Sequence, residues 1–96
     1  MPVLQLEHPV TDFATWKRAF DSDPIGRGRL GVRRHRVCRP LDDPNYVVVE
    51  LELDTEEEAE TCRAALRDLW ASRRAAPALA GEPRVRVVDA VERVEY

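Results

Sequence analysis

Residues 3–8, Val-Leu-Gln-Leu-Glu-His, alternate in polarity. A strand turns successive side chains to opposite faces, so Leu4, Leu6 and His8 share one face and Val3, Gln5 and Glu7 the other. Pro9 withholds a backbone donor and is expected to stop the ladder. Thr11 or Asp12 supplies a cap for a helix. Phe13, Trp16 and Phe20 follow at i, i+3 and i+7, the stripe of a helix lying on a core, with Lys17, Arg18 and Asp21 on its far side. Pro24 ends that helix, and Gly26, Gly28 and Gly31 make the next stretch a mobile loop.

Val32 to Arg39 reads as a second strand. Its alternation is poor, with Val32 and Cys38 in one register and Val37 in the other, as an edge or bulged strand tolerates. Pro40 to Pro44 is a turn. Tyr46 to Leu53 is the clearest strand: Val47, Val49, Leu51 and Leu53 form one face and Tyr46, Val48, Glu50 and Glu52 the other. A hairpin joins it to the strand before. Thr55-Glu56-Glu57-Glu58 is a capping box, and its carboxylates suit the positive end of a helix dipole. Ala59, Cys62, Leu66, Leu69 and Trp70 recur at helical spacing to about Ser72, a helix about 25 Å long. Pro77, Gly81 and Pro83 break the chain into a loop, and Arg84 to Glu95 reads as a long, bent fourth strand.

The order is therefore β-α-β-β-α-β, the split βαβ plan. Right-handed crossovers place both helices on one face of a four-stranded antiparallel sheet, an α+β fold. The two most regular strands, the first and third, should be central. Leu4, Leu6, Val47, Val49, Leu51 and Leu53 then meet Phe13, Trp16, Phe20, Leu66 and Trp70. The opposite face mixes valines with Glu7, Glu50 and Glu52, too apolar for water and too charged for a dry core. Two copies stacked through this face resolve the conflict, with the carboxylates pairing with Arg34, His35 and Arg36, because an unpartnered buried carboxylate is costly.

Ninety-six residues amount to one domain, spanning 1–96. A net charge of −3 argues against a nucleic-acid partner, since phosphate binding needs a basic surface. An RNA-recognition module shares this element order but stacks bases on strand aromatics. Here the first strand has none and the third only Tyr46. An acylphosphatase-like reading fails at Pro9-Val10-Thr11, which lacks the glycines and the arginine of a phosphate cradle. No apolar run is long enough for a membrane helix, and the first residues carry no basic run of a signal peptide. The expected location is the cytoplasm, with Cys38 and Cys62 as free thiols, both buried. The two histidines and two cysteines are too scattered for a metal site.

The string Asp12-Phe-Ala-Thr-Trp16-Lys-Arg-Ala-Phe20-Asp, the hairpin Asp43-Pro-Asn-Tyr46-Val-Val-Val and the helix start Asp54-Thr-Glu-Glu-Glu-Ala59 resemble the dimeric α/β-barrel superfamily. Within it, the chain is similar to the small ferredoxin-like proteins near the antibiotic-biosynthesis monooxygenases. The resemblance covers nearly the whole chain and is one of architecture. It implies a homodimer joined through the sheets and a cofactor-free oxygenase acting on a small aromatic or apolar substrate, with the site between sheet and helices. Haem-degrading members use an Asn on the first strand, a Trp and a His. Here that strand offers Gln5 and His8, and no histidine follows Trp70.

His8 points toward the helices, beside Trp16 and Trp70. An imidazole between two indoles suits a flat apolar ligand, with His8 as the base that cofactor-free oxygenation requires. Phe20 extends the pocket wall, and Asn45 and Tyr46 at the hairpin offer hydrogen bonds to a ligand. The same features fit a non-catalytic dimeric module that binds a small ligand or stabilises a partner. Six arginines between Arg27 and Arg39 suggest an anion patch, although the chain uses Arg almost everywhere in place of Lys.

Overall fold

The computed structural model describes residues 1–72 and 79–96, so Pro77 lies outside the described residues. The chain runs β1 (Pro2–Pro9), α1 (Phe13–Asp21), β2 (Arg34–Cys38), β3 (Tyr46–Glu52), α2 (Glu56–Ala71) and β4 (Arg84–Asp89). The strands form one antiparallel sheet in the order β2-β3-β1-β4. This is a ferredoxin-like α+β fold. β1 and β3 occupy the centre because only they alternate without a break, each with one fully buried face.

Leu4, Leu6, Val47, Val49, Leu51 and Leu53 form the floor of the core. Trp16 from α1 and Ala59, Cys62 and Leu66 from α2 cover it. Fully burying one such aliphatic side chain stabilises the fold by roughly 1.5–3 kcal/mol. Asp12 is the cap of α1: its carboxylate accepts from Thr15 N–H at 3.0 Å, which holds it below the usual carboxylate range. The capping box of α2 is complete, with Thr55 Oγ1 accepting from Glu58 N–H and the Glu58 carboxylate accepting from Thr55 N–H.

Several boundaries differ from the sequence expectation. α1 stops at Asp21, before Pro24, because the backbone turns left-handed at Asp23 (φ +53°), whose N–H closes the end on the Phe20 carbonyl at 3.1 Å. Pro9 does not stop the ladder, since Val10 N–H still donates to Asn45 at 2.8 Å. Successive amides point to opposite sides of a strand. The donor that Pro9 lacks would face β4, whose register already ends at Glu7–Arg84. β2 begins at Arg34 rather than Val32. β4 ends at Asp89, opposite Pro2 where β1 begins, and Val91 and Val94 beyond it are exposed. The glycine-rich stretch is not an open loop. Its turns are closed by bonds such as Val32 N–H to Arg27 and Leu30 N–H to Gly26. Cys38 is exposed and Cys62 buried, so only one of the two thiols is a core residue. Burial pushes the Cys62 thiol up to about 11.

Candidate active site

Antiparallel register places His8 opposite Val47 on the helix-facing side of the sheet, where it is 1% exposed. Its Nδ1 lies 3.0 Å from the Pro9 carbonyl oxygen. A carbonyl only accepts, so Nδ1 carries the proton and Nε2 holds the free lone pair. Burial pulls the His8 pKa below its ordinary value, and the Pro9 bond only partly offsets this. The ring is therefore a neutral base at physiological pH.

His8 closes one end of a pocket of about 130 Å³ between the sheet, both helices and the loop after α1. Trp16 stands edge-on to the imidazole at 6.0 Å and Trp70 at 6.4 Å. The indoles flank the histidine, leaving a gap between the helices that Leu66 and Leu69 also line. Phe20 stacks on Trp16 at 5.0 Å and continues the wall. A cavity of about 150 Å³ lined by aliphatic and aromatic groups accommodates benzene, so this space matches a single ring. Haem and polycyclic substrates exceed it.

Four of the residues singled out from the sequence thus come together: His8, Trp16, Phe20 and Trp70. Tyr46 and Asn45 do not. The pleat that turns Val47 inward turns Tyr46 outward, where its hydroxyl donates to Glu7 at 3.1 Å. Asn45 is exposed in the turn, its N–H held by Asp43 and its carbonyl by Val10. His35 also departs from expectation. It pairs with Leu51, an inward position, and its ring meets Phe20 at 5.2 Å, so it does not belong to the outer face.

That outer face is a set of cross-strand rows. Arg36, Glu50, Gln5 and Arg86 stand side by side on β2, β3, β1 and β4. Arg36 donates to Glu50 at 2.6 Å, Gln5 to the other Glu50 oxygen at 3.5 Å, and Arg86 to Gln5 at 3.3 Å. Arg34 meets Glu52 at 2.6 Å in the next row. The carboxylates pair within one copy of the chain.

The sequence reading missed the loop after α1. Ile25 and Arg27 line the pocket, and Arg27 lies with its guanidinium carbon 3.8 Å from the Phe20 ring centre. Once a helix ends, no periodicity marks the facing of later residues. The remaining signal was a cationic side chain seven residues beyond the aromatic stripe. Among the described residues no cluster of His, Cys, Asp and Glu could hold a metal ion, and no helix is long and apolar enough to cross a membrane.

No protein-family model matches the sequence, and no curated protein does. Solved structures do match. A protein from Nitrosomonas europaea, provisionally named an antibiotic biosynthesis monooxygenase, superposes with a TM-score of 0.71 at 16% identity, over 94% of this chain and 89% of its own. A protein of unknown function from the same organism gives 0.70 at 14% identity, over 99% and 93%. A dimeric ferredoxin-like protein from an uncultured marine organism gives 0.67 at 10% identity over the full length of both chains. These likenesses establish the fold.

Proposed function

We propose that this chain is a cofactor-independent, monooxygenase-like enzyme acting on a small, single-ring aromatic or apolar substrate. The observation that carries the reading is His8, a buried imidazole with Nδ1 committed to the Pro9 carbonyl and Nε2 left for a one-ring pocket. Nε2 takes a proton from a ring hydroxyl of an electron-rich substrate such as a hydroquinone, and the charge delocalises onto the adjacent ring carbon, which bears a hydrogen. That carbanionic carbon adds dioxygen, and His8 returns the proton to give a hydroperoxide. Loss of water, which takes this carbon's hydrogen and the outer peroxide oxygen, leaves a carbonyl, with one oxygen atom in the product and one in water. The apolar walls favour each step by keeping solvent from quenching the carbanion. The monooxygenase name of a structural neighbour supports this class of chemistry.

We further propose that the working form is a homodimer stacked through the outer sheet faces. Val3, Val48 and Val88 lie half-buried there among ion pairs already satisfied within each copy. A neighbour of the same fold is described as dimeric. The exposed Cys38 thiol suits a reducing compartment such as the cytoplasm.

Oxygen uptake by the purified protein with a panel of single-ring hydroquinones tests the enzymatic reading. Uptake above buffer autoxidation that is lost in His8→Gln supports it. Binding seen by tryptophan fluorescence with no uptake on any member would replace it with the ligand-binding reading.

A further inference from the structure

We infer that the pocket's ligand is an aromatic carboxylate and that Arg27 is the group that holds its acid end. This deepens the preceding proposal and rests on its assignment of the pocket as the ligand site.

The arginines of the 27–39 stretch have different fates. Arg33 is spent on Asp54, Arg34 on Glu52 and Arg36 on Glu50. Arg39 covers the Phe13 ring at 4.2 Å. Arg27 alone among these lines the pocket, with its side chain only 14% exposed. Its Nη1 donates to the Phe20 carbonyl at 2.8 Å, which fixes the guanidinium against the end of α1. Asp23 forms an ion pair with it, its Oδ1 3.6 Å from Nη1, so the charge has a neighbour of opposite sign but the distance is too long for a hydrogen bond to the guanidinium fork. One Asp23 oxygen already accepts from the Arg27 backbone N–H at 2.9 Å. Among the described residues Nη2 and Nε make no hydrogen bond.

A guanidinium largely removed from water, with donors unused, is matched best by a carboxylate, whose two oxygens fit its fork. The walls beyond it are apolar. Contacts run in series from Arg27 to Phe20, to Trp16 and to His8. The cation and the base therefore lie at the two ends of one aromatic wall. A ligand with an acid group on one ring satisfies Arg27 with the acid and presents the ring's far side to Nε2. A neutral ring of the same size fills the space and leaves the guanidinium donors unmatched.

Benzoate and its neutral isostere benzamide separate these cases, with binding read from Trp16 and Trp70 fluorescence and by calorimetry. The unaltered protein should bind benzoate about tenfold more tightly than benzamide, the size of one desolvated charge-assisted contact. Arg27→Gln should bring that ratio to about one, with benzoate losing more affinity than benzamide, and Arg27→Lys should fall between because it keeps charge without the fork. A ratio near one in the unaltered protein, failure of both probes to bind, or a preference that persists in Arg27→Gln would each overturn the assignment. The first two readouts need no variant, so a misfolded Arg27→Gln does not shelter the idea. Selective benzoate binding leaves Arg27 in this role even if no hydroquinone consumes oxygen. Oxygen uptake on neutral hydroquinones without acid selectivity sinks the Arg27 assignment and leaves the enzymatic reading standing.

Discussion

His8 and its immediate neighbour Pro9 form a side-chain to backbone hydrogen bond of 3.0 Å, and this one contact decides which imidazole nitrogen faces the pocket. If the ring turned over, its N–H would lose the Pro9 carbonyl, which would keep only the longer bond from Ala80 N–H at 3.3 Å. The nitrogen available to a ligand is thus fixed by the backbone of the same strand.

Stability should depend on pH through this ring. Burial lowers the His8 pKa in the native state below the ordinary 6.5. Below that ordinary value the unfolded chain takes up a proton that the native ring refuses. The stabilising contribution is therefore full above it and is lost as pH falls toward the native pKa. Urea midpoints at about pH 7.5 and about pH 5 should drop further for the unaltered protein than for His8→Gln. Oxygen uptake should hold through this window, where the native ring stays neutral, and fall only at lower pH, below the native pKa, where the protonated ring is no base.

The two pocket tryptophans should separate stability from binding. Trp16 is buried, and Trp16→Ala should cost about 3–5 kcal/mol in urea unfolding. Trp70 is half-buried, and Trp70→Ala should cost about 1 kcal/mol. Both should weaken binding of a single-ring ligand about tenfold or more, since each removes one wall.

Gly31 has φ +99°, and a Cβ added there would run into Glu58 Oε2. Glu58 closes the capping box of α2, so Gly31→Ala forces a strained backbone and pushes on the cap together. The expected loss is about 1–3 kcal/mol. In a Glu58→Ala background the clash is gone and only the backbone strain remains. The double-mutant cycle should then show coupling of about 0.5 kcal/mol or more.

Val48→Asp tests the sheet-to-sheet dimer. Val48 stands between Glu7 and Cys38 on the outer face, so an added carboxylate there meets a like charge on one side and no cation on the other. Sedimentation should give twice the 11.0 kDa chain mass for the unaltered protein and the single mass for the variant, with circular dichroism unchanged.

A thiol reagent should label one cysteine quickly in the native protein and the second only after denaturation. Cys38 is exposed, whereas Cys62 is buried with its thiol held up to about 11. Two fast equivalents would show that α2 opens readily.

Most of the fold was legible because β1 and β3 alternate strictly and because Thr55 and Glu58 spell out a helix start. His8 was legible for the same reason: once Leu4 and Leu6 face inward, the residue two further on must follow. The ends of β4 and the facing of His35 were not legible. Both are set by a neighbouring strand rather than by local pattern. β4 stops opposite Pro2, where β1 begins, and Arg-His-Arg-Val-Cys shows no polarity that reveals which face meets Leu51. Tyr46 and Asn45 looked like ligand groups because hairpin chemistry and ligand chemistry use the same residue types. Arg27 was hidden among arginines that pair with carboxylates, as Arg33, Arg34 and Arg36 do, or cover a ring, as Arg39 does.

The side-by-side placement of β1 and β4 ties together two strands that lie far apart in the sequence. Until β4 emerges, one flank of β1 has no ladder partner, and closing the loop between them is the largest entropic step in assembling the sheet. Co-translational folding of this chain should therefore halt at a three-stranded intermediate with an open edge at β1. That edge is where a nascent chain would recruit a chaperone or pair with another copy of itself.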